Sequence, residues 1–409
     1  MTGRTIAGVT LVALVLGASG RAAVYAEPFD RERVGKGAEL AAIGNCITCH
    51  TSPDGKPFAG GRAIDTPFGT IYSTNITPDA ETGIGRWTES DFRTAMHEGV
   101  DREGRDLYPA FPYDHFTRVS DDDVAALYAF VMTRDPVRAA IPPNRLRFPM
   151  SLRGSIKLWK ATYFRPGAYR SDASRSAEWN RGAYLVEGLA HCGACHTPRN
   201  ALGAERADRA LEGGDAEGWH ATSLARDSPA PMRWTAEALY AYLRNGQERQ
   251  HGTAAGPMAD VTHNLAGVAE SDVRAIAVYI ASQMPQEGAS APARSEPAAQ
   301  ADGAQIFAGA CAVCHGDVSP MLSRASVPLE LTTSLNEPDA RNAIHVIMEG
   351  LRPQDVEPGA RMPGFAGELT DKQIAALVDY LRARFTGRPA WQDVPQHIAA
   401  IRQSMDQEP

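Results

Sequence analysis

The sequence predicts an all-α protein built from three tandem copies of one helical domain. Three observations predict it. The pattern Cys-x-x-Cys-His occurs three times, as Cys46-Ile-Thr-Cys49-His50, Cys192-Gly-Ala-Cys195-His196 and Cys311-Ala-Val-Cys314-His315. Ahead of each copy a Gly-Ala pair opens a short apolar helix: Gly37-Ala38, Gly182-Ala183 and Gly303-Ala304, with seven, eight and six residues before the first cysteine. Each copy also closes in a helix with one apolar stripe, Val124, Leu127 and Phe130 aligning with Val273, Ile276 and Tyr279 and with Ile374, Leu377 and Tyr380. The i, i+3, i+6 spacing places each set on one helix face, and self-similarity of this kind marks a repeated unit.

The motif identifies the chemistry. All six cysteines are used by it. Cys-x-x-Cys-His is the c-type haem attachment pattern: the two thiols add across the porphyrin vinyl groups, and the adjacent imidazole binds iron from the same side. A zinc site needs four ligands, whereas each motif supplies three with no second paired cluster nearby. A thioredoxin-like pair needs a strand–helix setting, and the flanks read as helical. The sequence therefore predicts three covalently attached haems c. Cys46, Cys49, Cys192, Cys195, Cys311 and Cys314 are the attachment points, and His50, His196 and His315 are iron ligands.

A first and a last helix crossing beside a haem is the plan of a class I cytochrome c domain. Such domains are predicted at 30–166, 172–285 and 299–386. Ser120 with Asp123, and Thr370 with Gln373, give two closing helices capping-box-like starts. A Pro/Ala/Ser-rich run supplies a linker at 286–298, while the aromatics of 142–168 are expected to pack.

Haem iron that shuttles electrons usually takes a second axial ligand, and methionine raises its potential. Each copy has a helix ending in glycine (Gly99, Gly246, Gly350), and twelve residues later stand Phe111, Met258 and Met362. Met258 in Gly256-Pro257-Met258 and Met362 in Arg361-Met362-Pro363-Gly364 read as loop methionines, and are predicted axial ligands. Phe111 cannot bind iron. For the first haem the alternatives are Met96, His97, His115 or an open five-coordinate iron. Met96 aligns with Leu243 and Ile347 and should face the core. His97 aligns with Arg244 and Met348, a position expected to be exposed.

With 409 residues the chain has room for two or three domains, and its net charge of −8 argues against a nucleic-acid partner. Residues 1–26 read as a signal peptide: Arg4, an apolar stretch from Thr5 to Gly20, and small residues at Val24-Tyr25-Ala26. A periplasmic location follows, on or near the inner membrane's periplasmic face. The tail 387–409 is expected to be polar apart from Ile398-Ala399-Ala400-Ile401, so any membrane association is peripheral. Gly-rich loops at Gly60-Gly61 and Gly213-Gly214 suit haem propionates, with Arg62, Asn75, Trp219 and His220 as possible donors or as ordinary turn residues. His191 reads as a surface residue or a neighbour of the haem ligand, and His251, His263 and His345 as structural. No nucleotide loop or nucleophile elbow occurs.

Thr66-Pro67-Phe68-Gly69-Thr70-Ile71-Tyr72-Ser73-Thr74-Asn75-Ile76-Thr77-Pro78-Asp79 and the three haem motifs resemble the three-haem cytochrome c subunits of bacterial dehydrogenases. The likeness covers nearly the whole mature chain. Tyr108-Pro109-Ala110-Phe111-Pro112-Tyr113-Asp114-His115-Phe116-Thr117 looks like the branch paired with molybdenum hydroxylases, such as nicotinate dehydrogenase and isoquinoline 1-oxidoreductase. In the alcohol dehydrogenase branch the phenylalanine is typically methionine. The resemblance implies electron transfer from a dehydrogenase catalytic subunit, with molybdopterin and iron–sulfur partners, to quinone or a terminal oxidase. The chain itself is then not the enzyme. Rival readings are a subunit of a quinoprotein alcohol or flavin-dependent sugar dehydrogenase, a peroxidase-like enzyme with an open first iron, and a soluble electron store.

Overall fold

The computed structural model describes residues 29–285, 301–316, 328–351 and 362–406. The expected signal peptide and the 286–298 linker lie outside the described residues. Helices dominate: α1 (Arg31–Ile43), α2 (Glu89–Glu98), α3 (Asp121–Met132), α4 (Arg153–Tyr163), α5 (Ala177–Tyr184), α6 (Ala236–Asn245), α7 (Pro257–Leu265), α8 (Glu270–Gln283), α9 (Ala301–Ile306), α10 (Arg341–Glu349), α11 (Asp371–Thr386) and α12 (Val394–Met405). Three times a helix leading into a haem motif packs across a later helix: α1 on α3, α5 on α8 and α9 on α11.

The Gly-Ala pair marks the crossing point. A Cβ on Gly37 would lie 2.0 Å from the Ala126 carbonyl oxygen and 2.7 Å from Phe130 Cβ. On Gly182 it would lie 1.9 Å from the Ala275 oxygen and 2.8 Å from Tyr279 Cβ, and on Gly303, 2.3 Å from the Ala376 oxygen and 2.6 Å from Tyr380 Cβ. Each glycine thus lets one backbone rest on another, beside the aromatic that ends the closing stripe. The exit to the cysteines differs. The first copy turns through left-handed Asn45 (φ 51°), whereas the second and third widen into π turns at Leu185–Leu189 and Phe307–Cys311. These turns accompany the unequal glycine-to-cysteine spacings.

The helix ends follow the sequence signals in part. Thr370 and Gln373 form the complete capping box of α11. Ser120 caps α3, but Asp123 does not reach back: it accepts from Tyr184 Oη at 2.6 Å and pairs with Lys36 at 2.5 Å. A second complete box, Thr88 with Asp91 on α2, went unread in the sequence. Gly99 (φ 61°) and Gly246 (φ 71°) end α2 and α6 in the left-handed region, as glycine permits.

Three features differ from the expected plan. First, small antiparallel sheets interrupt the all-α pattern: β1 (Ala63–Thr66), β2 (Gly69–Tyr72) and β3 (Arg145–Leu146) form one, β4 (Gly214–Ala216) and β5 (Trp219–Ala221) another. Alternating β-branched residues around a two-residue turn at Pro67-Phe68 account for β1–β2. Second, the first two units share one continuous buried core, with Leu40, Leu127, Leu185, Leu189 and Ile276 in it, while the third has its own around Ile344, Ile374 and Leu377. Third, the 387–409 segment is not simply a polar tail. Trp391, Val394, Ile398 and Ile401 are buried in the third core through α12, so its apolar patch is already covered. The 142–168 segment packs as expected, α4 burying Ile156 and Trp159 and donating Trp159 Nε1–H to Leu202 O at 3.0 Å.

Candidate haem sites

Each motif occupies a single helical turn, so cysteines three residues apart stand on the same side. The six cysteines are half-buried. Burial, reinforced by the neighbouring Cys49, pushes the Cys46 thiol up to about 12. Burial likewise raises Cys192 to about 12 and Cys195 and Cys311 to about 11.

The histidines are held for ligation. Burial lowers His50, His196 and His315, favouring neutral imidazole. His50 Nδ1 lies 2.6 Å from Thr74 O, and His196 Nδ1 lies 2.7 Å from Thr222 O. With Nδ1–H donating to a carbonyl, Nε2 carries the lone pair an iron needs. For His315 no such acceptor occurs among the described residues. Two thiols and an imidazole per motif, the first two imidazoles oriented by a carbonyl, fit a covalently held haem.

The Gly-rich loops supply these acceptors rather than the proposed side-chain donors. Asn75 is committed to Val137 O (2.7 Å) and Thr82 Oγ1 (3.1 Å). Arg62 bonds Glu217 at 2.8 Å, Trp219 stacks on His345 with ring centroids 4.3 Å apart, and His220 joins an ion network with Asp215 and Glu337. All three therefore join units to one another.

The structure places the methionines differently from one another. Met258 lies in the first turn of α7 rather than in a loop, half-buried against the shared core. A Cβ on neighbouring Gly256 would sit 2.3 Å from Trp219 Cε2, so the Met258 segment rests on the same β4–β5 hairpin whose downstream Thr222 holds His196. Met362 is bridged to the end of α10: Leu351 N donates to Met362 O at 3.0 Å. Its thioether packs half-buried on the third core. Met96, Leu243 and Ile347 share one register on α2, α6 and α10, and all three are buried.

The two histidines among the first-haem alternatives hold partners of their own. His97 is not exposed: its Nε2 lies 2.8 Å from Val119 O, ahead of α3. Its counterpart Arg244 makes the same tie in the second unit, to Val268 O ahead of α8, at 2.5 Å. His115 is buried with Nδ1 2.9 Å from Glu187 O and Nε2 2.9 Å from Glu205 Oε1. Burial opposes charge on His115, but Glu205 and Asp114 outweigh it and raise its pKa. It fastens the first unit to the second and does not swing inward. Phe111 packs against Phe116, ring centroids 5.2 Å apart. His97 and His115, the two candidates for the distal acid–base group of a peroxidase-like site, are thus both engaged in contacts that tie elements together.

Sequence reading missed how closely the first two motifs approach. His191, ahead of Cys192, has Nε2 3.3 Å from the carbonyl of Gly44, ahead of Cys46. Asn264 of α7 hydrogen-bonds Asn45 and, at 3.2 Å, Thr48 Oγ1 inside the first motif.

The chain is similar to known proteins. Residues 34–135 match the family model described as Cytochrome c, and residues 298–381 the one described as Cytochrome C oxidase, cbb3-type, subunit III. The gluconate 2-dehydrogenase cytochrome c subunit of Pantoea cypripedii is 36% identical over 420 residues, covering 96% of this chain and 95% of that one. The chain belongs to the family of dehydrogenase cytochrome c subunits. The fructose dehydrogenase cytochrome subunit of Gluconobacter japonicus is 35% identical over 87% of this chain and 80% of its own length. A nicotinate dehydrogenase subunit from Pseudomonas putida is 44% identical over 374 residues; these cover 90% of this chain but only 32% of that protein, so the chain spans about a third of it. As a member of this family the chain has a helical cytochrome c fold, binds haem c and serves as an electron-transfer subunit to a dehydrogenase.

Proposed function

We propose that the chain is a periplasmic three-haem cytochrome c that draws electrons from a molybdenum hydroxylase and delivers them to quinone or a terminal oxidase. The observation that carries the haem number is the threefold glycine crossing, each leading into Cys-x-x-Cys-His. It supports cytochrome c domains at 30–166, 172–285 and 299–386. The haem supplies a one-electron carrier whose potential its axial ligands set. The polypeptide orients His50 and His196 through the Thr74 and Thr222 carbonyls, and His315 completes the third motif. Met258 and Met362 are assigned as the second axial ligands, and Met96 as the thioether for the first iron.

The nicotinate dehydrogenase relative, with Phe111 in its Tyr108–Thr117 setting, supports a molybdenum-hydroxylase partner. The second reading is a sugar or alcohol dehydrogenase partner, favoured by the full-length match to the gluconate and fructose relatives. Intact-mass measurement of the exported protein tests the haem number: three haem additions are expected, and two would refute it. Purification of the native complex tests the partner. A molybdopterin protein is expected to co-purify, and a flavoprotein or quinoprotein in its place overturns that assignment.

A further inference from the structure

The described part of the chain exposes few large apolar side chains, and four of them gather on one surface: Phe148 (80% exposed), Leu152 (56%), Leu158 (71%) and Leu202 (47%). Continuity is set by contacts beneath them. Trp159 donates to Leu202 O, Arg147 N donates to Phe68 O at 2.8 Å, and a Cβ on Gly203 would lie 2.9 Å from Phe68 Cε2. Burial of Ile156 and Trp159 fixes α4, so Leu158 is held outward by packing.

Charge on this surface runs against the rest of the molecule. The chain carries −8 overall, yet Pro136 to Arg170 contains eight Lys and Arg and no Asp or Glu. Arg145, Arg147, Arg153, Lys157 and Arg165 are exposed, and none takes part in an ion pair among the described residues. The nearby acids are engaged: Asp106 pairs with Lys160 at 2.5 Å, and Asp65 accepts from Thr70. Cation and apolar side chain alternate in direct succession, as Arg147-Phe148, Leu152-Arg153 and Lys157-Leu158.

We propose that residues 145–165, with Leu202 beside them, form a docking face for an anionic lipid surface. The proposal rests on the exported, membrane-facing location given above and names the surface that meets the membrane. Protein–protein interfaces cluster apolar residues centrally and deplete that centre of charge. Here cations and apolar groups interleave, which matches headgroup phosphates lying over an acyl boundary. No helix of the described residues is long and apolar enough to cross a membrane. Attachment through this face is therefore interfacial and salt-sensitive.

Sedimentation of the haem-loaded full chain with lipid vesicles tests this. Binding is expected to phosphatidylglycerol-containing vesicles, weakened by salt, and not to pure phosphatidylcholine. At about fivefold per surface cation, the double variant Arg147→Ser, Lys157→Ser lowers the partition coefficient about 25-fold. Phe148→Ser with Leu158→Ser lowers it at least about tenfold, since both lose apolar insertion. Equal binding to both vesicle types, or variants that bind as the parent does, overturns the proposal. Should the variants weaken only the complex with the dehydrogenase, the face docks protein and the lipid assignment is wrong. A chain that ignores vesicles but keeps its haem reduction loses this proposal while the electron-transfer reading stands.

Discussion

Gly35 and Gly37 stand two residues apart on α1, yet replacing each by alanine has opposite expected effects. At Gly35 nothing lies within 4 Å of an added Cβ. Only helix propensity changes there, and Gly35→Ala stabilises by about 0.5–1 kcal/mol. At Gly37 the Cβ falls 2.0 Å from the Ala126 carbonyl oxygen. Ordinary van der Waals contact needs about 3.4 Å, so α1 and α3 must separate by more than an ångström. A backbone oxygen cannot rotate away as a side-chain end can, which puts the cost near the upper end of overpacking, about 3 kcal/mol. Propensity returns about 1 kcal/mol, leaving a net loss of about 2 kcal/mol. Denaturant titration of the haem-loaded protein, followed by far-ultraviolet circular dichroism, compares the two variants directly. A Gly37→Ala protein as stable as Gly35→Ala would refute the crossing argument, and with it the structural case that Gly182 and Gly303 mark equivalent units.

Other perturbations reach the third unit and the first iron. Burial alone would lower His220, but Asp215 and Glu337 outweigh it and raise it to about 9. Its folded pKa exceeds the unfolded one, so its contribution is full below about 6.5 and is lost as pH rises through about 9. Limited proteolysis should therefore release the third unit more readily at pH 10 than at pH 6, and His220→Gln should abolish that difference. Truncation after Gly387 removes four buried apolar side chains (Trp391, Val394, Ile398, Ile401); at about 1.5–3 kcal/mol each the third core should lose at least about 6 kcal/mol. An unchanged denaturation midpoint would contradict the packing of α12. Met96→Leu keeps the shape of its counterpart Leu243 and should remove one thioether–ferric charge-transfer absorption out of three. Retention of all three signals would reassign the first iron's ligand.

The local code was the legible part. Cys-x-x-Cys-His, the glycine pairs and the apolar stripes are short-range patterns set by helical periodicity, and each appears where the sequence placed it. Thr370 with Gln373 capped as read, for the same reason. Long-range placement was not legible. His97 reads as a charge-tolerant exposed position, and only the fold reveals a carbonyl, Val119 O, waiting 22 residues downstream. Trp219 and His220 look like haem-loop donors until the third unit supplies His345 and Glu337 as their partners. Ile398 and Ile401 lie within an otherwise polar stretch, and their period becomes informative only once α11 offers a face to receive it.

The three units are also joined unequally. Between the first and second, a continuous apolar core, the His191–Gly44 contact of the two motif loops and the bond from Asn264 of α7 to Asn45 hold the units together. Close packing tolerates little displacement, so the separation of those two Cys-x-x-Cys-His turns is set by the fold itself. Between the second and third, the contacts run through side chains of the β4–β5 hairpin: Asn342 bonds the His220 backbone at 3.0 and 2.8 Å, Arg341 pairs with Asp215 at 2.5 Å, and Trp219 stacks on His345. No apolar core joins them among the described residues. The first junction adds the His115–Glu205 and Arg62–Glu217 pairs to its apolar core, whereas the second rests on its polar and aromatic contacts. The junction between the second and third units thus lacks the apolar core that holds the first two, and the hairpin that carries it also leads into the carbonyl orienting His196.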